Sequence, residues 1–276
     1  MQRLISGLAT LFPQKYKEVL LGSPADPSWL ANVIHSLLNM LPVERFPVLP
    51  CDGVLKGYRM KIDWHKHRSF IYGTWEPEVG RAISEVVSEG NVAIDIGAHS
   101  GFYTLLLSKL VGREGMVIAF EPLPENFRML EENMRLNQCS RIKPINKAVM
   151  DRSCKMELSI PDKESLLVAG PVVNGNRGKT VTVEAVSIDD FMYDLKSPVH
   201  FIKMDVEGAE GLILRGAIKT IEMYHPIMFI EIHHFDGYDE NNEVVALLNE
   251  LRYEIHWLDR YPITSHIVAK WTGTHV

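Results

Sequence analysis

Two short stretches gather the side chains that could move a proton. In "FIKMDVEG", residues 201–208, Asp205 and Glu207 stand two apart at the end of an apolar run. Extended backbone sends both carboxylates to one side. There, one could take a proton from a hydroxyl or amine nucleophile while the other holds a ligand. In "FIEIHH", residues 229–234, Glu231 and His233 repeat the spacing. Imidazole is the side chain best suited to base work near neutral pH, and the period of two favours His233 over His234. Such a set of Asp, Glu and His could also hold Mg²⁺ through oxygen. No dense D-x-D run calls for one, and no metal is expected.

A third stretch is suited to binding. "VAIDIGAHSG", residues 92–101, is an apolar strand that breaks into a turn carrying Gly97 and Gly101. The following strand ends in Glu121, 20 residues past Gly101. An acid at that distance is placed to accept hydrogen bonds from two ribose hydroxyls. A dinucleotide fingerprint would need a second glycine where this chain has His99, so that backbone could reach a pyrophosphate. There is also no G-x-x-x-x-G-K-[ST] loop. A nucleoside cofactor without phosphate fits these residues, and S-adenosylmethionine is such a cofactor. Asp95, on the strand itself, either orients the loop through its backbone N–H groups or touches the cofactor directly.

The elements that must position these residues follow from the hydrophobic pattern. Up to about residue 48 the chain reads as helical, with Leu30, Val33, Leu37, Leu38 and Leu41 on one face. "RFPVLPCDG" breaks that pattern. "GVLKGYRMKID" and "RSFIYG" read as strands of a hairpin joined through "WHKH", whose His65 and His67 suit a solvated turn. A helix closed by Gly90 follows. From residue 91 short apolar strands alternate with amphipathic helices, the signature of a parallel sheet covered on both faces. Residues 155–184 alternate apolar and polar around "NGNRG" and read as an inserted hairpin. "YEIHWLD" and "SHIVAKW" near the end are too close for a crossover helix, so they must pair antiparallel.

The chain has 276 residues, 46% of them apolar, and a net charge of −6. That balance gives no global basic field for nucleic acid or anionic lipid. No window approaches the ~18 apolar residues of a membrane span. Three cysteines, Cys51, Cys139 and Cys154, lack metal spacing and suit a reducing compartment. A cytoplasmic location is expected, and the early helices offer a surface for a homodimer.

At "FIKMDVEGAE" the chain resembles the FkbM family of S-adenosylmethionine-dependent methyltransferases. Lys203, Asp205, Val206, Glu207, Gly208 and Glu210 all fit a K-x-D-V-E-G-x-E pattern. "GTWEPEVGRAI", "DIGAHSGFYT", "FEPLPENFRMLEENMRLN" and "INKAVMD" resemble further family segments in the same order, over roughly residues 53–235. The resemblance implies a class I, Rossmann-like α/β fold: a seven-stranded, mostly parallel sheet with an antiparallel C-terminal hairpin. Here that domain would span residues 51–276, after a helical extension over residues 1–50.

Carried onto this chain, the resemblance sets Gly97 and Gly101 beside the methionine part of the cofactor, with Ala98, His99 and Tyr103 in the same turn. It puts Glu121 and Pro122 at the ribose, and Asn146 and Ala148 near the adenine. Asp205 falls near the transferable methyl, and Trp75 and Glu76 close over the cofactor. The family usually has Asn where this chain has His99. The expected activity is in-line methyl transfer to a hydroxyl of a small molecule, sugar or natural product, with Asp205, Glu207 and His233 as catalytic residues. The alternatives are N-methylation, a nicotinamide-dependent oxidoreductase, or a methyltransferase-like module that only binds.

Overall fold

A computed structural model describes residues 48–64, 67–160, 170–171, 179–195, 197–234, 242–261 and 263–273. The helices expected before residue 48, His65 and the "NGNRG" turn lie outside these residues. Two strands come first, β1 (Val48–Pro50) and β2 (Arg59–Lys61), then the helices α1 (Arg68–Tyr72) and α2 (Pro77–Val86). The alternating region follows with β3 (Val92–Ile96), α3 (Phe102–Val111), β4 (Met116–Phe120), α4 (Pro124–Leu136) and β5 (Ile142–Ile145). A smaller sheet holds β6 (Ala148–Val149), β7 (Cys154–Ile160), β8 (Gly170–Pro171) and β9 (Lys179–Val186). The chain continues through α5 (Ile188–Leu195), β10 (Phe201–Met204), α6 (Glu210–Arg215), α7 (Ile218–Tyr224) and β11 (Ile227–His233). It closes with α8 (Glu243–Glu250), β12 (Tyr253–Trp257) and β13 (Thr264–Trp271).

The main sheet has seven strands in the order β12-β13-β11-β10-β3-β4-β5. Pairs from β11 to β5 are parallel, and β13 runs antiparallel to both neighbours. This is the Rossmann-like class I arrangement that the resemblance implied. The last strand slots between β11 and β12 instead of extending the edge. Strand order reverses between β3 and β10, which opens a crevice at their carboxyl ends. All five residues of β3 are buried, as a central parallel strand covered on both faces requires.

The two faces of the sheet differ in how they end. One face stays apolar to the strand tips, through Ile96, Phe120, Met204, Ile230 and Ile267. The other begins with Ala93, Ala119, Phe201, Phe229 and Val268. One period of two further toward the crevice it turns polar: Asp95, Glu121, Lys203, Glu231 and His266. The site is thus the place where a single core face stops being apolar.

Two expectations are corrected. Residues 53–73 do not form a hairpin: β2 pairs antiparallel with β1, and Arg68–Tyr72 is helical. The helix buries Phe70, Ile71 and Tyr72 together, which alternation along a strand could not. Gly73, left-handed at φ 68, ends it. The extension read as helical through residue 50 is strand at Val48–Pro50, where Pro50 is tolerated because β1 has a partner on one side only.

One buried side chain joins three parts of the fold. Asn133 of α4 accepts from the Lys61 N–H (2.6 Å) and donates to the carbonyls of Lys61 (3.1 Å) and Ser100 (2.8 Å). It therefore fixes β2 and the turn after β3 to the same helix. Replacing Asn133 by Ala leaves those groups unpaired. The expected loss is about 2–3 kcal/mol of stability and about 5–10 °C in Tm, read by thermal denaturation.

Candidate functional site

A cavity of about 260 Å³ opens at the carboxyl ends of β3, β4, β10 and β11. Its floor is the turn after β3. Gly97 has φ 81, and a Cβ there would lie 1.8 Å from the Asp205 carbonyl oxygen, so only glycine lets β3 and β10 leave the sheet side by side. The Gly97 and Ala98 N–H groups both donate to the Phe120 carbonyl. The His99 N–H donates to Glu121 Oε2 (2.8 Å), and the Leu123 N–H donates to Oε1 (2.9 Å). The Asn126 amide also donates to Oε1 (3.4 Å), so Glu121 ties the turn to β4 with both positions of Oε1 and one of Oε2. Burial drives its pKa up to about 7 against those hydrogen bonds.

His99 sits in left-handed backbone at φ 50. His and Asn are among the non-glycine types found most often in that region. The backbone therefore accommodates His99. The His99 ring meets His67 edge-on at 5.1 Å, and His67 stacks on Phe70 at 4.9 Å. Phe70 in turn contacts Trp75 (5.1 Å) and Phe102 (4.8 Å). These rings wall one side of the cavity. His67 is buried, which corrects the reading of "WHKH" as a solvated turn.

Charge converges on the opposite wall. Lys203 is buried opposite Asp95 in the β3–β10 register. Its Nζ lies 3.7 Å from Asp95 and 3.4 Å from Asp205. Thr104 donates to Asp95 as well (2.6 Å). Burial works against the Lys203 charge, but Asp205 and Asp95 outweigh it and raise its pKa. Burial alone would raise Asp205, yet Lys203 and His233 hold its pKa below the usual value.

Glu207 follows at φ 54, with burial pushing its pKa up to about 7 against the pull of His233. Glu76, at φ 37, accepts from the Tyr103 hydroxyl (2.5 Å), and burial plus nearby Glu231 lift its pKa to about 7. His233 has Nδ1 on Glu210 (2.7 Å) and Nε2 3.4 Å from Glu207. Burial disfavours its charge, but the surrounding carboxylates win and carry its pKa to about 9.

Most of the residues expected from sequence come together here. Glu76, Gly97, Ala98, His99, Tyr103, Glu121, Pro122, Ala148, Asp205 and Glu207 line the cavity. Asp95 lies fully buried behind Lys203, and Gly101 caps α3 beneath the turn. Asn146 is used to fasten the Glu121 and Pro122 carbonyls (2.8 and 3.1 Å). His233 stands behind Glu207, while Glu231 reaches the wall. Sequence reasoning did not single out Lys203 for charge pairing, nor His266, which faces Glu231 across β11 and β13. Alternation in "SHIVAKW" held the signal for His266 once its strand was paired with β11. The apolar Met156 and Leu158 of β7 complete the wall beside Ala148.

Comparisons with known proteins give the family. The model of the methyltransferase FkbM domain matches residues 95–255, more than half of the chain. The chain belongs to that family. A solved methyltransferase FkbM from Methylobacillus flagellatus KT is 20% identical, with TM-score 0.47, over 72% of this chain and 51% of that one. Aeropyrum pernix fibrillarin, solved with natively bound S-adenosyl-L-methionine, is 18% identical, with TM-score 0.43, over 67% of this chain and 68% of that one. Protein-L-isoaspartate O-methyltransferase of Caenorhabditis elegans is 29% identical over 62 residues, or 22% of this chain. The match spans 28% of that relative's length. No helix among the described residues is long and apolar enough to cross a membrane.

Lys203 makes the site's dependence on one cation testable. Changing it to Met leaves Asp95 buried without a counter-charge, at an expected cost of about 3–5 kcal/mol. Adding Asp95→Asn should restore part of that loss, measured by urea denaturation of the single and double variants.

Proposed function

We propose that the chain is an S-adenosylmethionine-dependent methyltransferase that methylates a hydroxyl oxygen of a small, hydroxylated acceptor. The observation that carries this reading is the contact between Glu121 and the glycine turn at the switch point of the sheet. It leaves Glu121 Oε2 able to accept one more hydrogen bond beside a turn whose third residue is His99. Ribose hydroxyls can donate to such a carboxylate, whereas a pyrophosphate would meet the His99 position. The apolar slot of Ala148, Met156 and Leu158 suits a base, and the wall of Asp205, Glu207 and Glu231 suits a positive sulfonium.

S-adenosylmethionine would supply a methyl group already activated by positive sulfur. The protein's part is then to align the acceptor and take its proton. Asp205, kept ionised by Lys203, faces the positive charge. Glu207 lies on the wall with a pKa near neutrality, the range in which a carboxylate base works best, and His233 stands 3.4 Å behind it. The bound cofactor would supply the methyl group to the acceptor oxygen, and Glu207 would take the acceptor's proton. His233 is then a positioning residue.

Binding calorimetry with S-adenosylmethionine and with NAD, followed by labelled-methyl transfer to matched hydroxyl and amine acceptors, tests the reading. S-adenosylmethionine should bind and NAD should not, with label on the hydroxyl series. Tight NAD binding, or label on amines only, would overturn it. Glu121→Ala should weaken S-adenosylmethionine about tenfold or more, a loss of about 1.4 kcal/mol. Glu207→Gln should cut kcat about 10²–10⁴-fold with cofactor affinity little changed. Because the base must be unprotonated, the wild-type rate should climb as pH rises toward about 7 and level off above it. The Gln variant should lose that limb.

A further inference from the structure

We propose that Glu76, Glu231 and His266 form a binding site for a first-row divalent transition cation on the cavity wall. One atom from each of the three lies within 4.8 Å of the others. The donors come from three distant segments: the residue before α2, the end of β11 and the antiparallel strand β13. Glu231 and His266 are direct cross-strand partners.

The second observation is the state of the His266 ring. His266 is 6% exposed, and its fully enclosed Nε2 has the Glu231 carboxylate as its ion-pair partner. It points at Glu231 Oε2 from 3.4 Å, too far for a good hydrogen bond. Ligands about 2.1 Å from one tetrahedral cation stand about 3.4 Å from each other, so that gap matches a shared ion.

The other side of the ring is held as a metal-ligating histidine usually is. Asp259 Oδ2 lies 2.7 Å from His266 Nδ1, and Asp259 Oδ1 accepts the His266 backbone N–H at 2.9 Å. A carboxylate on Nδ1 fixes the tautomer that presents Nε2 to a metal. Glu76 gives Oε2 to Tyr103 and keeps Oε1 available. One imidazole with two carboxylates suits Mn²⁺ or Zn²⁺ better than the all-oxygen preference of Mg²⁺ or Ca²⁺. Glu76 and Glu231 line the cavity, so the ion's open positions face it and can take an oxygen of the acceptor. That use rests on the methyl-transfer reading; the binding of the ion does not.

The test uses the full chain, treated with chelator and titrated with Mn²⁺. Electron paramagnetic resonance should show uptake of the ion, with spin-echo modulation from a directly bound nitrogen. His266→Gln should abolish the nitrogen modulation. Glu231→Gln should weaken Mn²⁺ about tenfold or more, and Asp259→Asn about tenfold, as loss of an outer partner does. Absence of uptake by the wild-type chain, or uptake without nitrogen coupling, overturns the proposal and leaves a plain imidazolium–carboxylate pair. The wild-type signal decides even if a variant fails to fold. S-adenosylmethionine binding is measured separately without Mn²⁺, so failure of the cofactor reading and failure of the metal site give different results.

Discussion

A lysine buried between two carboxylates is the constraint on which the rest of this site depends. Lys203 stands at the point where β3 and β10 part, with Asp95 on one side and Asp205 on the other. Removing these charges from water is costly, and their mutual placement, with the Thr104 hydrogen bond to Asp95, offsets it. That placement requires the two strands to be in register and the turn after β3 to be narrow. Gly97 supplies the narrowness, because nothing larger fits against the Asp205 carbonyl. Backbone packing and charge pairing therefore enforce the same geometry by independent means.

The remaining carboxylates are arranged around that centre by a division of labour. Each histidine behind the wall engages a carboxylate away from the cavity: His233 through Glu210, His266 through Asp259. The carboxylates on the wall, Glu76, Glu207 and Glu231, face the cavity while keeping Tyr103, His233 and His266 as neighbours. Both imidazoles are held in place by carboxylates outside the cavity. The aromatic wall of Phe70, Trp75 and Phe102 keeps the opposite side dry, which strengthens every charge interaction in the cavity.

Much of this was legible in the order of residues. The alternation of apolar strands and helices predicts the parallel sheet, and the short link between the last two strands predicts antiparallel pairing there. The spacing from Gly101 to Glu121 brings an acid to the glycine turn because each crosses one helix and one strand to reach the same sheet edge. Three features were not legible, for identifiable reasons. The segment with His67 looks extended by composition, yet it folds as a helix because three successive large side chains need burial. His266 had no visible partner until β13 was inserted between β11 and β12, a choice made by tertiary packing. Asn146 carries an amide that could face a base, but two nearby carbonyls capture it.

Glu76, His99 and Glu207 all hold left-handed backbone, and all three face the cavity. For non-glycine residues that conformation costs about 1–2 kcal/mol each. A glycine at any of them would relax the chain and raise its melting point while deleting the side chain that makes the position useful. Backbone strain and side-chain placement are thus bound together in three backbone angles.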